Sequence, residues 1–116
     1  QGWEKFTQEK LASYIAQDKI VLVDVTAEWC LTCLANKILV LHQKDVVKLL
    51  NDNNVVKLRA DFTSRSEEIA DYIKSHGRYG IPLNVVYGPN AKKGIVVPEI
   101  LSKESLMNAI NLSKRP

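Results

Sequence analysis

Apolar positions along this chain switch between a helical rhythm near 3.6 residues and short, continuous β-branched runs, and the switches mark its elements. Thr7 stands as an N-cap before KLASYIAQ, where Leu11, Tyr14 and Ile15 recur at helical spacing until Asp18 and Lys19 close the segment. Residues 20–27, IVLVDVTA, form a strand-length run, apolar on both faces except at Asp24. Such a run predicts a central strand covered on each side. From Cys30 to about Leu41 the pattern is helical, with Leu34, Ile38 and Leu41 on one stripe, and DVVKLLND makes a second helical piece ending near Asn53-Asn54. VVKLRADF, residues 55–62, reads as another strand, and Ser64 with Glu67 forms a capping box. The helix it opens turns Ile69, Tyr72 and Ile73 inward and stops at Gly77. A strand over 81–88 then leaves by the turn GPN and pairs antiparallel with GIVVPE, residues 94–99. Ser102 caps a last helix through about Asn111, with Leu106 and Ile110 inward.

The predicted order is α-β-α-β-α-β-β-α. Crossover helices in the first half require parallel strands, and the second half is a hairpin plus a helix. With no internal repeat and no linker, residues 1–116 make a single α/β domain around a central mixed sheet. The length suits one core, and 46% hydrophobic with 25% charged residues excludes a disordered or low-complexity chain. The longest apolar runs are too short to cross a bilayer, so the domain itself is expected to be soluble. No signal peptide opens it, and the abrupt ends at Gln1 and Pro116 are those expected of a domain excised from a longer protein. The net charge of +3 comes from lysines spread along the chain rather than a basic block, which argues against nucleic acid as a partner.

Both cysteines lie in AEWCLTC, with only Leu31 and Thr32 between Cys30 and Cys33. A disulfide gains most when it closes a long loop, so this pair is a poor staple and is better read as reactive. Cys30 sits where a strand gives way to a helix, and the free N–H groups of a helix start favour a thiolate. Cys30 is therefore expected to have a lowered pKa and to attack. Cys33, one turn in, is the resolving thiol that attacks the mixed disulfide on Cys30. Zinc would need His42 and His76 as further ligands, and these two are too far apart for a finger-type site, so no metal is expected.

Three other residues stand out. Asp24 interrupts an apolar strand, and an unpaired buried carboxylate is costly. Either it is a partly exposed residue near the strand end, or it is a buried acid of raised pKa that takes the proton from Cys33. Lys57, in the neighbouring strand, either modulates that acid or points outward. Pro82 heads a strand, which suits a plain trans proline or a cis Ile81–Pro82 bond that leaves the main chain of Ile81 open to an extended partner. Trp29 is either core or an aromatic shield over the sulfurs.

Together VDVTAEWCLTC and the later GIP resemble the thioredoxin superfamily over almost the whole chain. LVDVTAEWCLTC, LRADFT, GRYGIPLNVVYG and VPEIL are most similar to the C-terminal periplasmic domain of the DsbD and ScsB-like thiol:disulfide interchange proteins. The resemblance implies a thioredoxin fold, with Cys30 as nucleophile, Cys33 as resolving thiol, Asp24 as acid/base and cis-Pro82 beside them. Trp29, Ile81 and Pro82 would bind substrate. No cofactor beyond the redox-active cysteine pair is implied. It also implies a monomeric protein-disulfide reductase on the periplasmic side of the bacterial inner membrane. Electrons would pass from a membrane-embedded domain of the same protein to periplasmic protein disulfides. The same chemistry could serve a disulfide oxidase or isomerase, and a redox-sensing peptide-binding module would use the Ile81-Pro82 groove without turnover. Two departures stand out: Leu31-Thr32 replaces the usual Gly-Pro dipeptide, and Leu34 and Lys37 occupy a region where DsbD-type domains carry a lysine and an acid.

Overall fold

Val21–Thr26 (β2), buried along its whole length, is the middle strand of a five-stranded sheet in the order β1-β3-β2-β4-β5. The other strands are β1 (Trp3–Lys5), β3 (Val56–Asp61), β4 (Leu83–Gly88) and β5 (Ala91–Val96) in this computed structural model. Residues 2–115 are described, and the chain ends Gln1 and Pro116 lie outside the described residues. β1 and β2 both run parallel to β3, while β4 is antiparallel to β2 and β5 to β4. The parallel half and the terminal hairpin thus follow the predicted pattern.

Helices cover both faces. Tyr72 and Ile73 of α4 (Glu67–Ser75) and Leu11 of α1 (Gln8–Ala16) pack on Val21, Val23, Val25 and Val85. On the other face, α3 (Lys44–Asp52) and α5 (Lys103–Ser113) bring Val46, Leu50, Leu106 and Ile110 against Leu22 and Val86. Alternation along β2 divides its valines from Leu22 and Asp24, so the valines meet one helical layer and Asp24 faces the other.

The helix after Cys30 departs from expectation. It is regular only as α2 (Leu31–Asn36) and continues as a π turn, Lys37–Leu41, closed by the His42 N–H donating to Lys37 O at 2.8 Å. The wider turn swings Leu41 round to the side of Cys33, Asn36 and Val40, all buried. Leu34 and Ile38, expected on the same stripe as Leu41, are instead about half exposed, at 48% and 51%. Asn36 fixes this orientation. Its side-chain amide donates to Glu99 O at 2.8 Å, and its Oδ1 accepts from the Leu101 N–H at 3.0 Å.

Smaller corrections have local causes. β1 was not predicted, since three residues carry no periodicity and the strand forms by pairing with β3. Ser66, not Ser64, caps α4, accepting from the Ile69 N–H at 3.2 Å, and Glu67 is already helical. β5 starts at Ala91 rather than Gly94, because the hairpin turn needs only Pro89 and Asn90. Gly94 lies inside the strand at φ +92°, where an added Cβ would sit 2.5 Å from Val85 Cγ1.

Candidate active site

The chain leaves β2 at Thr26, turns through Ala27–Trp29 and enters α2 at Cys30. Cys30 is the N-cap, and its sulfur accepts from the Cys33 N–H at 3.2 Å. The one-turn spacing brings the two Cα atoms to 5.2 Å, and the sulfurs are joined in a disulfide. Both cysteines are buried, Cys30 at 7% exposed and Cys33 at 2%. Ile81 packs against Ala27, Cys30 and Cys33. The Ile81–Pro82 bond is cis, and among the described residues the main chain of Ile81 makes no hydrogen bond. The two cysteines, Ile81 and Pro82 thus gather at one end of the sheet, as expected.

Trp29 is 60% exposed, which excludes the core alternative. Its indole N–H donates to Thr63 O at 3.2 Å, and the Glu28 N–H donates to Thr63 Oγ1 at 2.9 Å. Thr63 is held in turn by Asp61, whose Oδ1 accepts from the Thr63 hydroxyl at 2.5 Å and from its N–H at 2.9 Å. Those bonds hold the Asp61 carboxyl below the usual carboxylate range. The end of β3 therefore orients the loop that carries Trp29 to Cys30, a part played by Asp61 and Thr63 that the sequence reading missed. Its local sign is an Asp followed two residues later by Thr at a strand end.

Asp24 is buried, on the sheet face that the α2 segment covers through Val40 and Leu41. Parallel register sets Arg59 directly opposite it on β3, and antiparallel register sets Asn84 opposite it on β4. Arg59 Nε and Asp24 Oδ2 lie 3.4 Å apart, close enough for charge pairing but without a well-aligned hydrogen bond. Burial raises the Asp24 carboxyl above its ordinary value, while Arg59 and Lys37 pull it back down. Arg59 is the cation paired with Asp24. Lys57, for which modulating that acid was one of two alternatives, sits elsewhere. Lys57 stands opposite Leu22, with its ammonium 3.5 Å from Asn51 Oδ1. In sequence Asp24 in VLVDVT and Asn84 in LNVVYG each interrupt an apolar strand, but VKLRAD carries both Lys57 and Arg59, and only register decides which of them meets Asp24.

Elsewhere, His76, weighed above for zinc, lies on the far side of the sheet with its Nε2 3.0 Å from the Tyr87 hydroxyl. No helix among the described residues is long and apolar enough to cross a membrane. A fold that presents two cysteines one turn apart at a helix start, beside a cis-proline, is built for thiol–disulfide exchange.

Comparison with known proteins agrees. No curated protein matches the chain. The oxidised C-terminal domain of DsbD from Neisseria meningitidis superimposes with a TM-score of 0.73 at 17% identity, covering 96% of this chain and 100% of that one. A thioredoxin from Thermus thermophilus superimposes at 0.64 with 22% identity over 94% of this chain and 83% of that one. Chloroplastic thioredoxin z gives 0.65 at 24% identity, over 93% and 90% of the two chains. These likenesses identify the α/β architecture as the thioredoxin fold. Residues 2–89, which hold the cysteine pair, Asp24, Arg59 and Pro82, match the family described as Thioredoxin-like. This chain belongs to the thioredoxin-like family.

Proposed function

We propose that this thiol–disulfide oxidoreductase works as a reductase, relaying electrons from a membrane-embedded donor domain to protein disulfides in the bacterial periplasm. The observation that carries the reading is the Cys30–Cys33 disulfide at a helix start, with Ile81 of the cis Ile81–Pro82 bond packed against both cysteines. Likeness to the DsbD C-terminal domain over that domain's full length supports the relay and the periplasmic setting. The same likeness supports a single domain of a longer membrane protein.

In the dithiol form, the Cys30 thiolate attacks one sulfur of a partner disulfide, forming a mixed disulfide and releasing the other partner sulfur as a thiolate. Asp24 takes the proton from the Cys33 thiol. The Cys33 thiolate then attacks Cys30 Sγ, the mixed bond breaks, and the second partner sulfur leaves as a thiolate that picks up a proton from solvent. Two electrons pass to the partner, and the Cys30–Cys33 disulfide remains for the donor to reduce. The sulfurs carry the electrons themselves, so no cofactor is needed. Ile81 lies beside Cys30, and its open main chain lets a partner segment dock as a short added strand.

Equilibration of the pair against glutathione and dithiothreitol buffers tests the direction. A potential near that of thioredoxin, about −270 mV, agrees with a reductase, and one near that of DsbA, about −120 mV, would mean a disulfide donor instead.

A further inference from the structure

We propose that Tyr72, Tyr87 and His76 form a pH-sensitive latch on the loop that leads to Ile81, closed while His76 is neutral and loosened when it is protonated. The latch is a property of the fold, and its consequence for partner docking rests on the exchange function proposed above.

His76 is the C-cap of α4, where the chain leaves the helix, and only Gly77–Gly80 separate it from Ile81. The Gly77 N–H donates to Lys74 O at 2.9 Å and the Arg78 N–H to Ile73 O at 3.3 Å, a paired main-chain closure of the helix end. Gly77 makes the reversal at φ +70°. The His76 side chain ties this turn to the sheet. Its Nε2 lies 3.0 Å from the Tyr87 hydroxyl of β4, and that hydroxyl lies 2.6 Å from the hydroxyl of Tyr72. The Tyr72 and His76 rings, one helical turn apart on α4, meet edge to face with centroids 4.9 Å apart. β5 brings Gly94 against Tyr87, where any Cβ would stand 2.8 Å from the ring.

Counting hydrogens fixes the direction of this chain of bonds. Burial raises both phenols, Tyr87 to about 12, so each keeps its hydrogen at neutral pH. Tyr72 and Tyr87 are 2% and 3% exposed, and the Tyr72 hydroxyl has no other hydrogen-bond partner among the described residues. With His76 neutral and its hydrogen on Nδ1, Tyr72 donates to Tyr87 and Tyr87 donates to Nε2, so both hydroxyl hydrogens are placed. A protonated ring carries a hydrogen on Nε2 as well and must donate to Tyr87. Tyr87 then donates to Tyr72, whose own hydrogen is left buried without an acceptor, a cost borne by the closed form alone. The groups that face the ring are Tyr72 from α4, Tyr87 from β4 and Arg78 from the loop, the last 3.5 Å from Glu99. Burial, and then the Arg78 cation, hold the ring below its ordinary value. Once the turn opens and the ring meets water, it titrates near about 6.5. The open form thus takes up a proton at higher pH than the closed form. Opening becomes easier as pH falls below about 6.5, until the closed form titrates too. A partner segment docking on Ile81 must then order the loosened turn again, which weakens docking in acid.

The test is amide hydrogen exchange of the oxidised chain, followed by NMR at pH 7.5 and pH 5.5 and expressed as protection factors. The parent is compared with His76→Gln, whose side-chain oxygen accepts from Tyr87 at either pH. In the parent, protection at Gly77 and Arg78 should fall about fivefold from the higher pH to the lower, and in His76→Gln it should not. Ring nitrogen shifts at neutral pH should place the His76 hydrogen on Nδ1, and the titration midpoint should rise by about one pH unit in Tyr87→Phe. Equal protection at the two pH values in the parent, the same fall in His76→Gln, or a neutral ring with its hydrogen on Nε2 overturns the proposal. An unmoved midpoint in a folded Tyr87→Phe does so too, and if that variant does not fold, the tautomer and the His76→Gln comparison decide. For docking, reduction of a two-chain peptide joined by one disulfide is set beside reduction of 5,5′-dithiobis(2-nitrobenzoate). The ratio of His76→Gln to parent rates should rise about threefold in acid for the peptide and stay near one for the small disulfide. Equal ratios for the two reagents overturn the docking consequence. A reduced parent that reacts with neither reagent would instead remove the exchange function, while exchange at Gly77 and Arg78 still judges the latch.

Discussion

Replacing Asp24 by Asn asks whether a buried charge, rather than merely a buried polar side chain, lies beneath the redox pair. A carboxylate and a guanidinium 3.4 Å apart attract by about 5 kcal/mol gross at an effective dielectric near 20. That attraction loses to desolvation, because the Asp24 carboxyl is raised rather than lowered in spite of Arg59 and Lys37. The ionised form is therefore a net burden on the fold, by about 1.4 kcal/mol for each unit of elevation. Below an unfolded carboxyl value of about 3.9, Asp24 is protonated in both states and contributes nothing to the pH dependence. As pH climbs from there through the raised folded value, the native state keeps a proton that the unfolded chain has released, so stability falls. Above the folded value the loss is complete and constant. The Asn variant has no such slope. Urea unfolding of the oxidised parent and Asp24→Asn from pH 4 to pH 8 should therefore show nearly equal stabilities in acid. The variant should pull ahead as pH rises, and thermal unfolding of the same pair should show about 4 °C in melting temperature per kcal/mol gained. The variant should also resolve its mixed disulfide more slowly. A stability difference that does not change with pH, or a parent that gains on the variant as pH rises, would refute the reasoning.

Two further outcomes are expected. Iodoacetamide at neutral pH should alkylate Cys30 of the reduced chain well before Cys33, and Cys33→Ser should trap a mixed disulfide that Cys30→Ser does not; preferential labelling of Cys33 reverses the two roles. Gly94→Ala should cost about 2–4 kcal/mol in urea unfolding, since a Cβ there meets Val85 and the Tyr87 ring at φ +92°. Gly77→Ala, at φ +70° in open space, should cost only about 1 kcal/mol, and equal costs would show that packing at Gly94 is not what matters.

What the sequence determined by itself is local. The β-branched run into β2, the cysteine spacing at a helix start, the caps at Thr7 and Ser102 and the stop at Gly77 all act within a turn or two of chain. Their physics needs no partner, so the elements around Cys30 and Cys33 and the parallel-then-hairpin plan were legible. The tertiary structure decided what depends on strand register and on competition between surfaces. Arg59 instead of Lys57 meets Asp24 because parallel pairing of β2 with β3 sets residue 24 opposite residue 59, a relation that neither strand encodes alone. β1 exists because the β3 edge offers unpaired main-chain groups to Trp3–Lys5, and only there does the Trp3 ring come beneath Arg59. The stripe of Leu34, Ile38 and Leu41 divided because the helix after Cys30 carries apolar residues on more than one side. The buried side was chosen by the Asn36 tie to Glu99 and Leu101 and by the wider turn that brings Leu41 inward, contacts made with chain more than sixty residues away.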